Sequence, residues 1–162
     1  MSVTLPPFQQ LVDAHWLDVA RLARSLAGPG EGDDVAQQAW TQALAAYPRL
    51  KSASNLRSWL MTITARCAMD GHRSRVRRPT PVDTVPETSG TVAGADLVAL
   101  EADPQLWEQV RTLPPRQREA IALRYVADLD HAGVAAAMGT TPAATRRLVS
   151  DALAALRSEV EQ

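Results

Sequence analysis

Apolar residues recur at helical spacing over two segments near the start of the chain. The first segment runs from Phe8 to Ala27, and Gly28-Pro29-Gly30 stops the pattern because these residues break helices. The second segment predicts a helix that Asp33 or Asp34 caps and that Tyr47-Pro48 ends. Each segment carries its apolar residues on one face, which is typical of helices that pack on a common core.

A third helix is predicted after a polar bend at residues 49–54. Asn55 is in the position of its cap, and its apolar face begins at Leu56. The helix runs out into an arginine cluster, which consists of Arg73, Arg75, Arg77 and Arg78. The three helices together predict a packed N-terminal module, which we bound at residues 1–78.

The next segment, residues 79–103, differs in composition from the chain on either side. Its first part is rich in Pro, Thr, Ser and Gly, and the whole segment contains acidic residues but no basic one. Such a composition cannot bury enough apolar surface to fold alone, so it predicts a flexible acidic linker. Helical periodicity returns near Ala95 and leads into a second small module, residues 104–162.

The C-terminal module has the pattern of a helix-turn-helix. A helix is predicted beyond Pro114-Pro115, Asp130 caps a short helix that ends at Met138, and Pro142 opens a last helix that ends near Val160. Between the last two helices, Gly139 is in the position where the turn needs a positive φ.

Counted from His131, the remaining positions of the motif also fit. Ala135 falls where two helices approach so closely that only a small side chain fits, and Leu148 falls on the inner face of the second helix. Thr145 stands where an aliphatic residue is usual. An ordinary helical hairpin, with no role in DNA binding, is the alternative explanation of the same spacing.

Composition supports an all-α protein of two small helical domains. The chain has 46% apolar, 22% charged and only 4% aromatic residues, and Ala and Leu dominate the apolar set. We expect Trp16, Trp40 and Trp59 in the core, since they fall at apolar helical positions. No apolar run approaches the ~20 residues that span a bilayer, so the expected location is the cytoplasm, without membrane insertion.

The sequence shows no site for bond chemistry. Cys67 is the single cysteine, and the three histidines have no nucleophile or carboxylate at a telling spacing, so we expect neither a metal site nor a cofactor nor an enzyme. We expect Cys67 to be a small buried residue. The net charge of −1 hides its uneven distribution, because the basic cluster at residues 73–78 precedes the acidic linker.

The helix-turn-helix is preceded by the segment Leu113-Pro114-Pro115-Arg116-Gln117-Arg118-Glu119-Ala120-Ile121-Ala122-Leu123-Arg124-Tyr125. Together, this segment and the helix-turn-helix resemble region four of bacterial extracytoplasmic-function (ECF, group 4) sigma factors of the sigma-70 family. The resemblance implies binding of the minus-thirty-five promoter element in the DNA major groove. Some of the implied contact residues are arginines that would bind the DNA backbone or the polymerase β flap. The full set of implied contact residues is Arg116, Arg118, Arg124, Thr141, Pro142, Ala143, Thr145, Arg146, Arg147 and Ser150.

The N-terminal module resembles region two of the same family. Asp33-Asp34-Val35-Ala36-Gln37-Gln38-Ala39-Trp40 looks like the acidic helix that binds the β′ clamp helices of core RNA polymerase, which implies polymerase contacts at Asp33, Asp34, Gln37 and Gln38. Leu56-Arg57-Ser58-Trp59-Leu60 through Asp70 looks like the helix that melts the minus-ten element. The residues implied for that element are Leu50, Lys51, Ser52, Ala53, Ser54, Asn55, Arg66, Arg73, Arg75, Arg77 and Arg78.

The resemblance implies an alternative sigma factor that binds core RNA polymerase and promoter DNA, with an anti-sigma factor as a further partner. Some positions depart from the family pattern: Gln38 replaces a frequent Glu, Ala65 a frequent Arg, and Leu148 and Asp151 frequent basic residues. An acid near phosphate repels it. Two alternatives therefore stay open, a helix-turn-helix DNA-binding regulator and a sigma-derived protein-interaction module that does not initiate transcription.

Overall fold

The computed structural model describes the backbone of residues 4–77 and 104–160, and the side chains of residues 4–71 and 105–158. Within these ranges all regular structure is helical, with seven α-helices, one 3₁₀-helix and no strand. The all-α prediction is thereby confirmed for the described residues. The predicted linker at residues 79–103 lies outside them.

The N-terminal module has three α-helices, as predicted. They are α1 (Phe8–Ala27), α2 (Gly32–Ala46) and α3 (Leu56–Arg77), and a 3₁₀-helix at Tyr47–Arg49 follows α2. Leu22, Leu60 and Met61 are 0–1% exposed at the centre of the module. Cys67 is also buried, as expected, and burial raises the pKa of its thiol, with the Asp70 carboxylate adding to the effect.

The start of α2 differs from the prediction. Glu31 occupies the N-cap position, and Asp33 and Asp34 lie inside the first turn rather than at the cap. There the carboxylates still favour the positive end of the helix dipole. Asp33 also pairs with α1, because its Oδ1 lies 3.6 Å from Nε of Arg24.

The C-terminal module contains α4 (Pro104–Thr112), α5 (Pro115–Tyr125), α6 (His131–Met138) and α7 (Pro142–Val160). The Asp130 side chain accepts a 2.7 Å hydrogen bond from the backbone N–H of Gly133, which confirms the predicted cap of α6. Gly139 has φ 68° and ψ 38°, so the predicted left-handed turn between α6 and α7 is confirmed as well.

The predicted placement of the tryptophans holds only in part. Trp40 and Trp59 are partly buried against the core, but Trp16 is 37% exposed. Helical spacing predicts which face a residue lies on, and a position at the margin of that face can remain open to solvent. The core expectation for Trp16 is therefore wrong.

The two modules pack directly against each other. Helices α1 and α3 contact α5, α1 also contacts α4, and α3 also contacts α6. One continuous apolar cluster includes Leu22 and Leu60 of the N-terminal module together with Leu123 and Val134 of the C-terminal module. The sequence did not predict this shared core, which brings the helix-turn-helix against the three-helix module.

Candidate DNA and polymerase interfaces

The second helix of the helix-turn-helix, α7, presents one exposed face. Ala143, Arg146, Arg147 and Ser150 follow the spacing of neighbours on a helix surface, and all four are exposed. At the start of α7 the exposed Thr141 caps the helix, since its Oγ1 accepts a 3.1 Å hydrogen bond from the N–H of Ala144. Two guanidinium groups and the Ser150 hydroxyl thus lie along one helix face, a donor-rich arrangement that suits phosphates and base edges.

Two residues expected at this interface lie inside the module instead. Thr145 is 0% exposed, and its hydroxyl has no hydrogen-bond partner among the described residues. Arg118 is 7% exposed and donates a 3.2 Å hydrogen bond from Nη2 to the carbonyl of Leu113. In this structure neither side chain is presented to DNA, which corrects the expectation from the sequence.

The environment of Arg118 explains its different role. Burial lowers the pKa of its guanidinium, and the nearby charge of Arg111 adds to that effect. Its hydrogen bond joins the start of α5 to the end of the preceding turn. Arg118 therefore acts as an internal brace between α4 and α5.

The other two arginines of α5 remain accessible to different degrees. Arg116 is exposed in the first turn of the helix, next to the exposed Pro115. Arg124 is half-buried, donates from Nη1 to the carbonyl of Leu129 at 3.3 Å, and lies 5.5 Å from the ring centroid of Tyr125. Arg116 can contact an external anion, whereas Arg124 already has intramolecular partners.

In the N-terminal module, the bend before α3 presents a row of exposed side chains. Leu50 is half-buried, and Lys51, Ser52, Ala53, Ser54 and Asn55 are exposed. The bend has local order of its own, because the hydroxyls of Ser52 and Ser54 lie 2.6 Å apart and the N–H of Ser54 donates to Ser52 Oγ at 3.1 Å. Asn55 has φ 60°, and its carbonyl accepts a 3.0 Å hydrogen bond from Trp59.

The basic residues of α3 are described only in part. Arg66 is exposed on the helix, ten residues after its start at Leu56. Arg73, Arg75 and Arg77 lie in the last turns of α3, but their side chains are outside the described residues, and Arg78 is outside altogether. The bend and Arg66 are thus the described parts of the predicted minus-ten site.

The predicted polymerase-binding residues occupy the first two turns of α2. Asp34, Gln37 and Gln38 are exposed at the spacing of a single helix face, whereas Asp33 is half-buried beside Arg24. This face is polar and carries one exposed carboxylate, that of Asp34.

An apolar groove of about 550 Å³ lies on the C-terminal module, and the sequence reading did not predict it. Helices α4, α5 and α7 form its walls, with Leu106, Trp107, Tyr125 and Leu153 among the lining residues. Leu106 is 37% and Tyr125 52% exposed. Helical periodicity could not have found the groove, because an apolar residue at a groove follows the same spacing as one in a core.

In the described part of the chain, no group of three or more His, Cys, Asp or Glu side chains could hold a metal ion. No described helix is both long and apolar enough to cross a membrane.

Both modules match known protein families. The family described as Sigma-70 region 2 matches residues 11–78, and Sigma-70, region 4 matches residues 104–156. The ECF RNA polymerase sigma factor SigD of Mycobacterium tuberculosis is 34% identical over 151 residues, which cover 88% of this chain and 71% of SigD. The chain belongs to the ECF sigma factors of the sigma-70 family.

A further relative and two solved structures resemble this sigma factor over most of its length. The ECF sigma factor SigC of Mycobacterium tuberculosis is 27% identical over 159 residues, which cover 94% of this chain and 83% of SigC. The sigma factor RpoE of Bartonella quintana, solved with the anti-sigma factor NepR, has a TM-score of 0.72 and 23% identity, covering 95% of this chain and 96% of RpoE.

The second solved structure is CnrH in complex with the cytosolic domain of CnrY. It has a TM-score of 0.69 and 22% identity, and covers 95% of this chain and 87% of CnrH. Both likenesses confirm the fold of this sigma factor. Sigma factors as a family are transcription initiation factors and not enzymes.

Proposed function

We propose that this protein is an alternative sigma factor of group 4 that binds core RNA polymerase, directs it to a limited set of promoters and melts their minus-ten element in the cytoplasm. The observation that supports the proposal is the exposure, on one chain, of two separate surfaces whose polar and basic side chains can contact nucleic acid. They are the face of α7 around Arg146 and the polar bend at residues 50–55.

The core enzyme contact is assigned to α2 and the β′ clamp helices. Asp34, Gln37 and Gln38 offer an exposed polar face, to which Asp33 adds a carboxylate shared with Arg24. Gln38 stands where the family often has Glu, so this face of α2 carries less negative charge. The electrostatic attraction that brings the face to a basic partner is therefore weaker. The contact then depends on shape and hydrogen bonds more than on charge.

Melting of the minus-ten element is assigned to the bend and α3. Opening a duplex without ATP requires capture of an unstacked base, which costs a few kcal/mol, and a grip on the released strand. The exposed hydroxyls and amide of Ser52, Ser54 and Asn55 can hydrogen-bond a base edge, and Lys51 and Arg66 can hold phosphates. The arginines at residues 73–78 would extend that grip.

Recognition of the minus-thirty-five element is assigned to the exposed face of α7. Arg146 and Arg147 supply the donors, Thr141, Pro142, Ala143 and Ser150 complete the surface, and Arg116 grips the backbone or the polymerase β flap. Arg124 is half-buried and already donates from Nη1 to the carbonyl of Leu129, which leaves fewer of its N–H groups for that contact. The exposed Asp151 beside Ser150 repels phosphate, which makes this the weaker of the two DNA contacts.

An anti-sigma factor is the further partner that we propose. RpoE, whose fold this chain shares, was solved with such a factor. Co-purification from the native cell would identify this partner. If no protein that binds sigma factors co-purifies with the chain, that result would argue against the proposed partner.

Run-off transcription with purified core enzyme tests the proposed function. Promoter-dependent transcripts support a sigma factor that initiates transcription. DNA binding without transcripts would instead indicate a helix-turn-helix regulator, and the loss of both would indicate a sigma-derived interaction module.

A further inference from the structure

We propose that Asp151, on the exposed face of α7, determines promoter specificity by binding a cytosine in the major groove, close to a guanine that Arg147 binds. The inference rests on the proposed function, because it adds a residue to the minus-thirty-five contact. An acidic residue that departs from the family pattern thereby becomes a source of promoter selectivity.

Asp151 lies in the middle of α7, on the same side of the helix as Arg147. The two residues are four positions apart, so at about 100° per residue their side chains leave the helix in directions about 40° apart. Both are exposed, whereas the inner side of the helix is 0–5% exposed at Thr145, Val149 and Ala152. Asp151 therefore extends the exposed face that carries Arg147.

Both charged groups are available to an external partner. Within the described part of the chain, neither Asp151 nor Arg147 has a side-chain hydrogen bond or an ion pair, although residues four apart on a helix can reach each other. Their order along the chain is the less favourable one for such a pair, because an acid is better placed toward the N-terminal end of a helix.

The chemistry of a carboxylate favours one base of the four. In the major groove, cytosine presents the N4 amino donor, and a carboxylate accepts a hydrogen bond from it. Guanine presents two acceptors, and thymine presents an acceptor beside a methyl group, so neither offers a donor to the carboxylate. Adenine has an amino donor, but its N7 acceptor lies next to that group and repels the negative charge. Asp151 therefore favours cytosine, whereas Arg147 favours the N7 and O6 acceptors of guanine.

The spacing of the two residues limits where the two bases lie. Four residues rise about 6 Å along a helix, and consecutive base pairs of DNA are about 3.4 Å apart. The cytosine is therefore expected within about two base pairs of the guanine. Because the carboxylate of Asp151 repels the phosphates of every sequence alike, it lowers general affinity while it raises selectivity.

Selection of DNA from a mixed pool tests the role of Asp151. The full chain, alone and bound to core RNA polymerase, is incubated with duplexes that carry a randomised minus-thirty-five segment, and the bound duplexes are sequenced. We expect the parent chain to prefer cytosine at one position by at least about fivefold, the lower end for a correct base contact. Asp151→Ala should abolish this preference and raise affinity for random duplexes about twofold, because one repulsive charge is lost.

Asp151→Asn gives the most specific readout. An asparagine amide pairs with both N6 and N7 of adenine, so this variant should change the preference at the same position from cytosine to adenine. A residue that acts only through its charge or through folding cannot produce such an exchange. Arg147→Ala should instead relax the preference for a guanine within about two base pairs of that position.

Glu108→Gln is the matched control. It removes an exposed carboxylate from α4 of the same module, with the same change in net charge as Asp151→Asn, and should leave every base preference unchanged. The same shift in preference in Glu108→Gln and Asp151→Asn would overturn the assignment, because the effect would then be one of overall charge.

The remaining outcomes separate this inference from the proposed function. Equal base preferences in the parent, Asp151→Ala and Asp151→Asn would overturn the role of Asp151 and leave the proposed function intact. If the chains select duplexes as expected but run-off assays yield no transcripts, the proposed function fails and the role of Asp151 stands. If the parent selects no sequence in this segment, the minus-thirty-five contact and the role of Asp151 are both refuted.

Discussion

The buried hydroxyl of Thr145 leads to a prediction about stability. Its Oγ1 has no hydrogen-bond partner among the described residues, and the side chain is 0% exposed on the inner face of α7. An unsatisfied buried polar group costs about 1–3 kcal/mol. Valine has nearly the same shape and no hydroxyl, so Thr145→Val should increase the free energy of unfolding by about 1 kcal/mol at least.

Urea unfolding measures this effect. With an m-value of about 2 kcal/mol/M, the gain corresponds to a midpoint about 0.5 M higher, and the melting temperature should rise by about 2–4 °C. The m-value should not change, because the surface exposed on unfolding stays the same.

Thr64 provides a matched control in the other module. It is also 0% exposed in a helix, but its Oγ1 donates a 2.8 Å hydrogen bond to the carbonyl of Leu60. Thr64→Val removes a bond that is made, so it should lower stability by about 0.5–1.5 kcal/mol or leave it unchanged. A lower midpoint for Thr145→Val, or equal shifts for the two variants, would refute the reasoning.

Three further predictions concern the DNA surfaces and the buried thiol. Changing Arg146 and Arg147 together to Ala should weaken promoter binding and reduce the salt slope by about 2, since each phosphate contact contributes about 0.9; an unaltered slope in a binding titration would count against the face of α7. Replacing residues 52–55 with Gly should change minus-ten preference in run-off assays more than it changes core binding, and unchanged preference would exclude the bend from base reading. Because burial first and Asp70 second raise the pKa of Cys67 above its usual 9.0, its contribution to stability should be fully present below about pH 8 and fall as the pH rises through 9 and beyond. Cys67→Ala should remove that alkaline loss in urea unfolding, and a loss of equal size in this variant would show that another group is responsible.

The sequence predicted those parts of the fold that depend on local chemistry. Gly139 and Asp130 each perform a task that one residue type does well at one position, a left-handed turn and a helix cap, and the structure confirms both. The break at Gly28-Pro29-Gly30 likewise ends α1 at Ala27 as predicted. The cap of α2 was misplaced because an Asp in the first turn and an Asp at the cap both favour a helix start.

Contacts between residues far apart in the sequence could not be predicted from local sequence patterns. The bond from Arg57 to Ala127 joins residues 70 positions apart and uses a backbone carbonyl, which has no sequence signature. The burial of Arg118 and Thr145 also depends on neighbouring helices rather than on spacing. Of the candidate site, the face of α7 and the bend before α3 are exposed, and their contacts with DNA stay predictions. The apolar groove was missed.

The continuous core has a consequence for how such proteins can be recombined. A chimaera that joins the N-terminal half of this chain to the C-terminal half of a relative would pair Leu22 and Leu60 with a surface shaped for other neighbours. Interiors are close-packed, so a mismatch of even one methylene group is felt. We therefore expect exchange of promoter specificity between relatives to work best when only the exposed face of α7 is transplanted. The faces of α5 and α6 that pack against α1 and α3 should keep their original partners.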